Sequence, residues 1–432
     1  MPASIFTRYL TRPVLAIYRS ILLAVNIAAA VLTIVSAYGG VTDPRKTVIP
    51  ALLSMMLPGF LIGDLALVIV DIISRRWKFA LILAASWLIS LPPLLDYSPV
   101  HISRPELTEA QEQRTFSVLT YNVLHLYDFR GEIDTLRSNA TLDYILSTDA
   151  DIVSMQELEA IQSWPLWKIT PEQIAELDRR YPYRAVNVSN ELTVLSRYPF
   201  IHIPLDIPHE HAIRMALFRF DIKGETVHFF NVHLESIGLS MADKTLYENL
   251  LRKAPQSERA LRRKLKEVKT QLISKLAVAF RLRAEQAHII RHTIDSIGGT
   301  FIVAGDFNDI QDSYAVRTIL GDDMHDAYAD RALGPCITYH GNRFYFRIDQ
   351  MLYGGDLEAI SCRRGDITSS DHFPLLATFL LTSPSDLPDT SDKSDQSELS
   401  EKSDQSELTS LSSLSELASF PLPFIPPISS IP

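Results

Sequence analysis

The pattern of apolar and polar positions changes twice along the chain. The first hundred residues hold three long apolar stretches, at 20–38, 48–70 and 79–95, each within or near the roughly 17–25 residues that a helix needs to cross a bilayer. From 114 to 380 the pattern breaks into short apolar runs separated by longer amphipathic segments, the alternation expected of a large α/β domain. Beyond 380 large apolar side chains become sparse until Phe420, and Ser, Asp and Glu dominate, with a near-repeat of KSDQSELS at Lys393 and KSDQSELT at Lys402. Such a composition buries too little apolar surface to offset chain entropy, so 381–432 reads as a disordered tail.

Within the first region, 1–100, three transmembrane helices are expected. Pro50, Pro58, Gly63 and Asp64 interrupt the second stretch, which leaves a re-entrant or interfacial segment as its alternative. Asp64 in hydrocarbon must face another helix or a lipid headgroup. Arg8, Arg12 and Arg19 precede the first stretch, and Val35-Ser36-Ala37 has the small-residue pattern of a cleavage site, so a signal peptide is the alternative there. Arg75, Arg76 and Lys78 lie between the second and third stretches, while Arg45 and Lys46 weaken the contrast in the intervening loop. Under the positive-inside rule this asymmetry puts the amino terminus in the cytoplasm. Three crossings then put everything after about Asp96 on the non-cytoplasmic side, as in a bacterial inner-membrane protein with a periplasmic or extracellular domain.

Charge and cysteines narrow the picture. The formal net charge is −10, but nine acids and two lysines from Leu381 onward give the tail −7 and leave −3 elsewhere. A nearly neutral domain lacks the broad basic field of a general nucleic-acid binder. Basic residues concentrate in one place: 252–283 holds eleven of them against two acids, while Leu261, Leu265, Val268, Leu272 and Leu276 recur at helical spacing. This predicts a basic amphipathic helix within 240–297, with either a solvated face or contact with an anionic surface. The two cysteines, Cys336 and Cys362, make neither a zinc pattern nor a disulfide-built fold, and their spacing leaves a single bridge open.

Strands are expected at 116–123, 151–158, 193–199, 215–221, 226–232, 301–304, 336–340, 344–353 and 375–380, and a further helix at 134–147. The most informative stretch is FIVAGDFND at 301–309. Its apolar run reads as a buried strand, Gly305 frees the backbone to turn, and Asp306 and Asn308 put a carboxylate beside an amide. Asp and Asn are also ordinary turn residues, so this stretch alone decides little. The same kind of ending recurs, however: Asn122, Glu157, His233, Asp349, Asp371 and His372 all lie at or beside expected strand ends, where α/β proteins gather reactive groups.

The ordered motifs TYNV, MQEL, NVHL, GDFND, RIDQML and SDHFP resemble those of the endonuclease/exonuclease/phosphatase superfamily, which includes DNase I, exonuclease III-like repair enzymes, neutral sphingomyelinases and inositol polyphosphate 5-phosphatases. The resemblance covers roughly 114–380. It implies a four-layer α/β/β/α sandwich of two mixed β-sheets and a divalent-metal phosphoesterase site. Glu157 is then the main Mg²⁺ carboxylate, with Asn122 nearby and Asp371 close to the metal; Mn²⁺ is an alternative ion. Asp306 aligns or deprotonates the attacking water, Asn308 and His233 hold phosphoryl oxygens, and His372 contacts the phosphate with Asp349 fixing its ring. Gln350 stands where many members carry an aromatic, and no match appears to the acid and arginine that distinguish the DNase I-like branch. The substrate therefore stays open among a nucleic acid, a phospholipid and a soluble phosphoester. The expectation is a membrane-anchored, Mg²⁺-dependent phosphodiesterase or nuclease in contact with the lipid bilayer, with a lipid phosphodiesterase or phosphatase as alternative. A non-catalytic receptor or scaffold on the same fold is the reading from another class, and no protein partner is inferable.

Overall fold

The computed structural model describes residues 3–126, 138–158, 169–189, 191–205, 214–238, 258–341 and 345–382, the stretches 3–13 and 258–269 by their backbone alone. The expected disordered tail, the start of the expected helix at 134–147 and residues 240–257 of the basic segment lie outside these.

Five helices open the chain: α1 (Ala3–Ala37), α2 (Ile49–Ser54), α3 (Leu57–Ile73), α4 (Trp77–Ile89) and α5 (Leu91–Tyr97). The expectation of three transmembrane helices is not supported. Among the described residues one helical segment, Val14–Ala37, is long and apolar enough to cross a membrane, or two if α4 and α5, bent by 67°, form one span. Proline explains the difference, because a ring nitrogen donates no hydrogen bond and sits best in a first turn. Pro50 opens α2, Pro58 opens α3 and the Pro92-Pro93 pair opens α5, so the second and third apolar stretches are each divided. What remains of the second, α3, has 17 residues.

Helices α1, α3 and α4 pack against one another. Asp64 is buried between them, accepting hydrogen bonds from Thr33 Oγ1 at 2.7 Å and Trp87 Nε1 at 3.1 Å. Their outward faces carry exposed apolar side chains, among them Ile17, Ile21, Ile62, Ile73, Leu81 and Leu88. At the other end this unit docks on the remainder of the chain. A Cβ on Gly40 would lie 1.7 Å from the carbonyl oxygen of Asp312, an approach that only glycine permits.

Among the described residues twelve strands follow a short helix, α6 (Glu109–Glu112): β1 (Thr115–Asn122), β2 (Ile152–Gln156), β3 (Tyr183–Val188), β4 (Leu192–Ser196), β5 (Phe200–Ile203), β6 (Arg214–Ile222), β7 (Glu225–His233), β8 (Phe301–Asp306), β9 (Met324–Asp326), β10 (Asp349–Gly354), β11 (Leu357–Arg364) and β12 (Leu375–Leu381). They form two mixed six-stranded sheets, ordered β11-β12-β1-β2-β4-β3 and β5-β6-β7-β8-β10-β9. The inner faces meet through one apolar layer that includes Phe116, Phe218, Phe229, Ile302, Met351 and Phe379. The first sheet's outer face is covered by α7 (Ala140–Thr148) and α8 (Pro171–Arg180). The long helix α9 (Glu258–Ile297) and α10 (Tyr314–Leu320) belong to the second sheet's side, where Ala287, Ile290, Val316 and Ile319 pack on the strands, whereas α11 (Ala327–Arg331) sends Ala327 and Tyr328 into the layer between the sheets. The layers are thus α/β/β/α. Strands β1, β2, β4, β8 and β12 are covered on both faces, which explains why they read as near-continuous apolar runs.

Two expected strands differ. Residues 336–340 make isolated bridges from Tyr339 to Phe346 and to His372 rather than a ladder, and the strand expected at 344–353 starts at Asp349. Thr338 accounts for this, since its Oγ1 accepts the amides of Ile348 and Asp349 at 2.9 and 3.0 Å in place of strand partners. Strands β3, β5, β9 and β11 were not among those expected from the sequence. Cys336 and Cys362 are free thiols, and burial pushes both above the ordinary thiol range.

Candidate active site

Register brings the chemistry together. In the first sheet Asn122 pairs with Gln156, the residue before Glu157; in the second, Asp306 pairs with both His233 and Asp349. Gly305 makes the second alignment possible, because at its φ of 147° a Cβ would lie 1.9 Å from the carbonyl oxygen of Val232. The two sheets join through one amide: Asn122 Nδ2 donates to Glu157 Oε1 at 3.0 Å and to Asp306 Oδ2 at 3.1 Å. Its Oδ1 accepts the amide of Leu124 at 3.2 Å.

Two of these residues hold uncommon backbone conformations. Glu157 has φ 55° and Asn308 φ 51°, in the left-handed region that a longer side chain such as Glu rarely adopts. The turn Leu124–Leu126 stabilises the first, with the His125 amide donating to the Glu157 carbonyl at 2.7 Å. Local strain of this kind gathers at functional sites. Asn308 is fixed through its amide, which donates to Asp306 Oδ1 at 2.8 Å, and its Nδ2, which donates to the Leu234 carbonyl at 3.0 Å.

His372 lies 2.8 Å through Nδ1 from Asp349 Oδ2, while its Nε2 is 3.6 Å from Asp306 Oδ2. Ser370 seats the loop, donating from Oγ to the Asn122 carbonyl at 2.7 Å and accepting the His372 amide at 3.2 Å. Burial alone would lower the imidazole's pKa, but the carboxylates of Asp349 and Asp306 override it and raise the pKa to about 10, so the ring is a cation at neutral pH. His233 behaves oppositely. Burial, reinforced by Arg214 and His372, holds its pKa well below the usual value, and its neutral ring places Nε2 3.7 Å from Asp306 Oδ2 and 3.8 Å from Glu157 Oε1. Burial also raises the Asp306 carboxyl, against the pull of His372.

All eight candidate residues thus converge, and six of them line a cleft of about 240 Å³: Glu157, His233, Asp306, Asn308, Asp371 and His372. Asn122 and Asp349 sit beneath it as partners of the lining residues. Asp306, Asp349 and His372 each bring a donor atom within 4.8 Å of the others, a spacing that a cation could bridge. Within that group Asp349 Oδ2 already lies 2.8 Å from His372 Nδ1, which leaves Nε2 facing Asp306. Glu157 and Asp371, which line the same cleft, offer hard oxygen donors of the type that suits Mg²⁺ or Mn²⁺, whereas Asn122, expected as a third ligand, turns its Nδ2 to Glu157 and Asp306 and its Oδ1 to the Leu124 amide. The donor set therefore fits a divalent ion.

Sequence reasoning missed several contributors. Arg283 of α9 is buried, with Nε 3.1 Å from Asp309 Oδ2 and Nη1 donating to the carbonyls of Asn308 and Glu235. Its helical repeat marked it as one basic residue among eleven. The Tyr339 ring stands 4.9 Å from that of His372. Gln350, the departure noted above, donates to the Asp309 carbonyl at 3.2 Å and so supports the same loop. Met55, Ile237, Leu276 and Phe280 form an apolar wall; only Leu276 had been singled out, as part of a helical stripe.

The fold and site define a class of phosphoesterase-like α/β/β/α proteins, and the sequence places the chain within it. The profile of the Endonuclease/Exonuclease/phosphatase family matches residues 119–372; the chain belongs to that family, whose members are metal-dependent phosphoester hydrolases. A second profile, described as a domain of unknown function, matches residues 19–97. No curated protein matches the chain. Similar solved structures include endonuclease/exonuclease/phosphatase proteins from Beutenbergia cavernae, at 17% identity over 62% of this chain and 72% of that one with a TM-score of 0.41, and from Bacteroides vulgatus, at 18% over 62% and 99% with a TM-score of 0.41. The D. rerio TDP2 complexed with a single-strand DNA product is 15% identical over 61% and 98%, with a TM-score of 0.39.

Proposed function

We propose that the cleft hydrolyses a phosphodiester by in-line attack of water, with a divalent ion held by Glu157 and Asp371 and Glu157 steadied by Asn122 Nδ2. The observation that carries this is the arrangement around Asp306: one carboxylate flanked by a cationic histidine, a neutral histidine and an amide that reaches a second acid. In-line displacement at phosphorus needs an aligned nucleophile, neutralised equatorial oxygens and a stabilised leaving oxygen. When bound, Mg²⁺ or Mn²⁺ would supply charge neutralisation at a phosphoryl oxygen. Asp306 orients the water and takes its proton. His372, held by Asp349, donates Nε2–H to the phosphoryl group as negative charge develops, and neutral His233 and Asn308 Nδ2 are the further donors.

The N-terminal helices anchor this domain to a bilayer, with the exposed apolar faces of α1, α3 and α4 toward lipid and the domain on the non-cytoplasmic side. The support is the 24-residue apolar segment Val14–Ala37, with Arg8, Arg12 and Arg19 before it, and the burial of Asp64 away from the outer faces.

The test uses the purified full chain and bis(p-nitrophenyl) phosphate. Hydrolysis with Mg²⁺ or Mn²⁺ that EDTA abolishes is expected. A folded chain with no turnover under either ion would overturn the reading. For topology, a reporter active only in the cytoplasm, fused after Leu380, should be silent.

A further inference from the structure

The cleft has two unlike sides. Its floor is the polar set at the strand ends, but one wall is apolar and is completed from outside the sandwich: Met55 of the α2–α3 turn, backed by Ala51 and Leu52 of α2, packs with Ile237 and with Leu276 and Phe280 of α9. Phe346 and Ile348 extend the apolar lining beside Tyr339. A wall of this kind offers nothing to a water-soluble phosphoester, yet it lies directly above the residues placed here on a phosphate.

The wall takes Met55 from the same N-terminal helical unit whose exposed faces are assigned above to lipid. Met55 is followed by Met56, which is 56% exposed, and α2 begins with Ile49, 63% exposed. A polyanionic strand needs a row of cations beside any rings on which its bases stack, and although Phe280, Tyr339 and Phe346 supply rings here, no such row accompanies them among the described residues lining the cleft. Among the described residues lining it, the cationic groups are His372 on the floor and Arg283, and Arg283 is engaged by Asp309 and two carbonyls.

We propose that the substrate is a membrane phospholipid, a phosphodiester whose phosphate meets Asp306 and His372 while the first methylenes of its acyl portion lie along Met55, Ile237, Leu276 and Phe280. The N-terminal helices then form part of the substrate site as well as the anchor. Water cleaves the P–O bond, its oxygen joins phosphorus, and the leaving alkoxide takes a proton, so atoms balance with water as the sole co-reactant. This rests on the phosphodiesterase reading and assigns its substrate class.

The test is a homologous series of alkyl p-nitrophenyl phosphate diesters, methyl to octyl, hydrolysed by the full chain in lipid nanodiscs. Each methylene buried on the wall should raise kcat/KM by about fourfold, the transfer value for one CH₂, until the wall is filled. Met55→Ser and Ile237→Ser should each reduce that slope. Measurable but chain-length-independent turnover would overturn the lipid assignment and leave the phosphodiesterase reading intact, whereas no turnover even of the methyl ester would remove that reading itself. Equal loss at every chain length in both variants, or faster cleavage of a single-stranded oligonucleotide than of the octyl ester, would also overturn the assignment.

Discussion

The floor and the wall of the cleft are made by different means. Five of the floor's groups, Asn122, Glu157, His233, Asp306 and Asp349, come from strand ends or the residue just beyond, where hydrogen-bonded register fixes each side chain to within one pleat. The wall comes from helix faces and turns separated by more than two hundred residues, Met55 against Leu276 and Phe280, and nothing but side-chain packing holds it. The floor is thus preorganised by backbone, the wall by apolar burial. A floor of this kind tolerates almost no substitution without loss of rate, whereas a wall exchanges one apolar side chain for another at small cost.

The sharpest break in the comparison is Asp306→Asn. It keeps the hydrogen-bonded shape but removes the base, so kcat should fall by about 10²–10⁴-fold, with an unchanged circular dichroism spectrum. Glu157→Gln should cost about 10²-fold at low Mg²⁺, with part of the rate returning as Mg²⁺ is raised. Recovery of the Asp306→Asn rate by added Mg²⁺ would show that the two acids have been assigned to the wrong roles.

Arg283 links the two sides, since it belongs to the wall's helix and holds the Asn308 carbonyl. Arg283→Met should lower kcat by about 10-fold with little change in KM, because a donor held slightly out of place weakens only the transition state, and Arg283→Lys should restore part of it. A change confined to KM would make Arg283 a wall residue alone.

The smallest effect concerns the seam beneath the wall. Asp312 accepts from Arg317 Nη2 at 3.1 Å, but burial, the larger influence, raises its carboxyl to about 7. The folded protein therefore binds more protons than the unfolded chain between about pH 4 and 7. Stability should fall as pH rises through that window and then level off. Asp312→Asn should raise Tm by a few degrees at pH 8 and give no such gain at pH 4, measured by differential scanning fluorimetry.

By itself the sequence determined the features that depend on neighbouring residues. Buried strands such as FIVA in β8 were legible because a run covered on both faces must be apolar throughout, and GDFND was legible because glycine, acid and amide stand side by side. The prolines at 50, 58, 92 and 93 were equally visible, yet hydropathy outweighed them in the three-span expectation; each ring nitrogen starts a new helix, and the structure divides the stretches there. Strands β3, β5, β9 and β11, the four sheet edges, escaped notice because edge positions lack a continuous apolar run. Only the tertiary structure decided which helix face meets which sheet. Arg283 looked like one more solvated cation until α9 turned it onto Asp309, and Met55 had no chemistry to announce it. Side chains far apart in sequence meet through packing, and packing is decided by the whole chain at once.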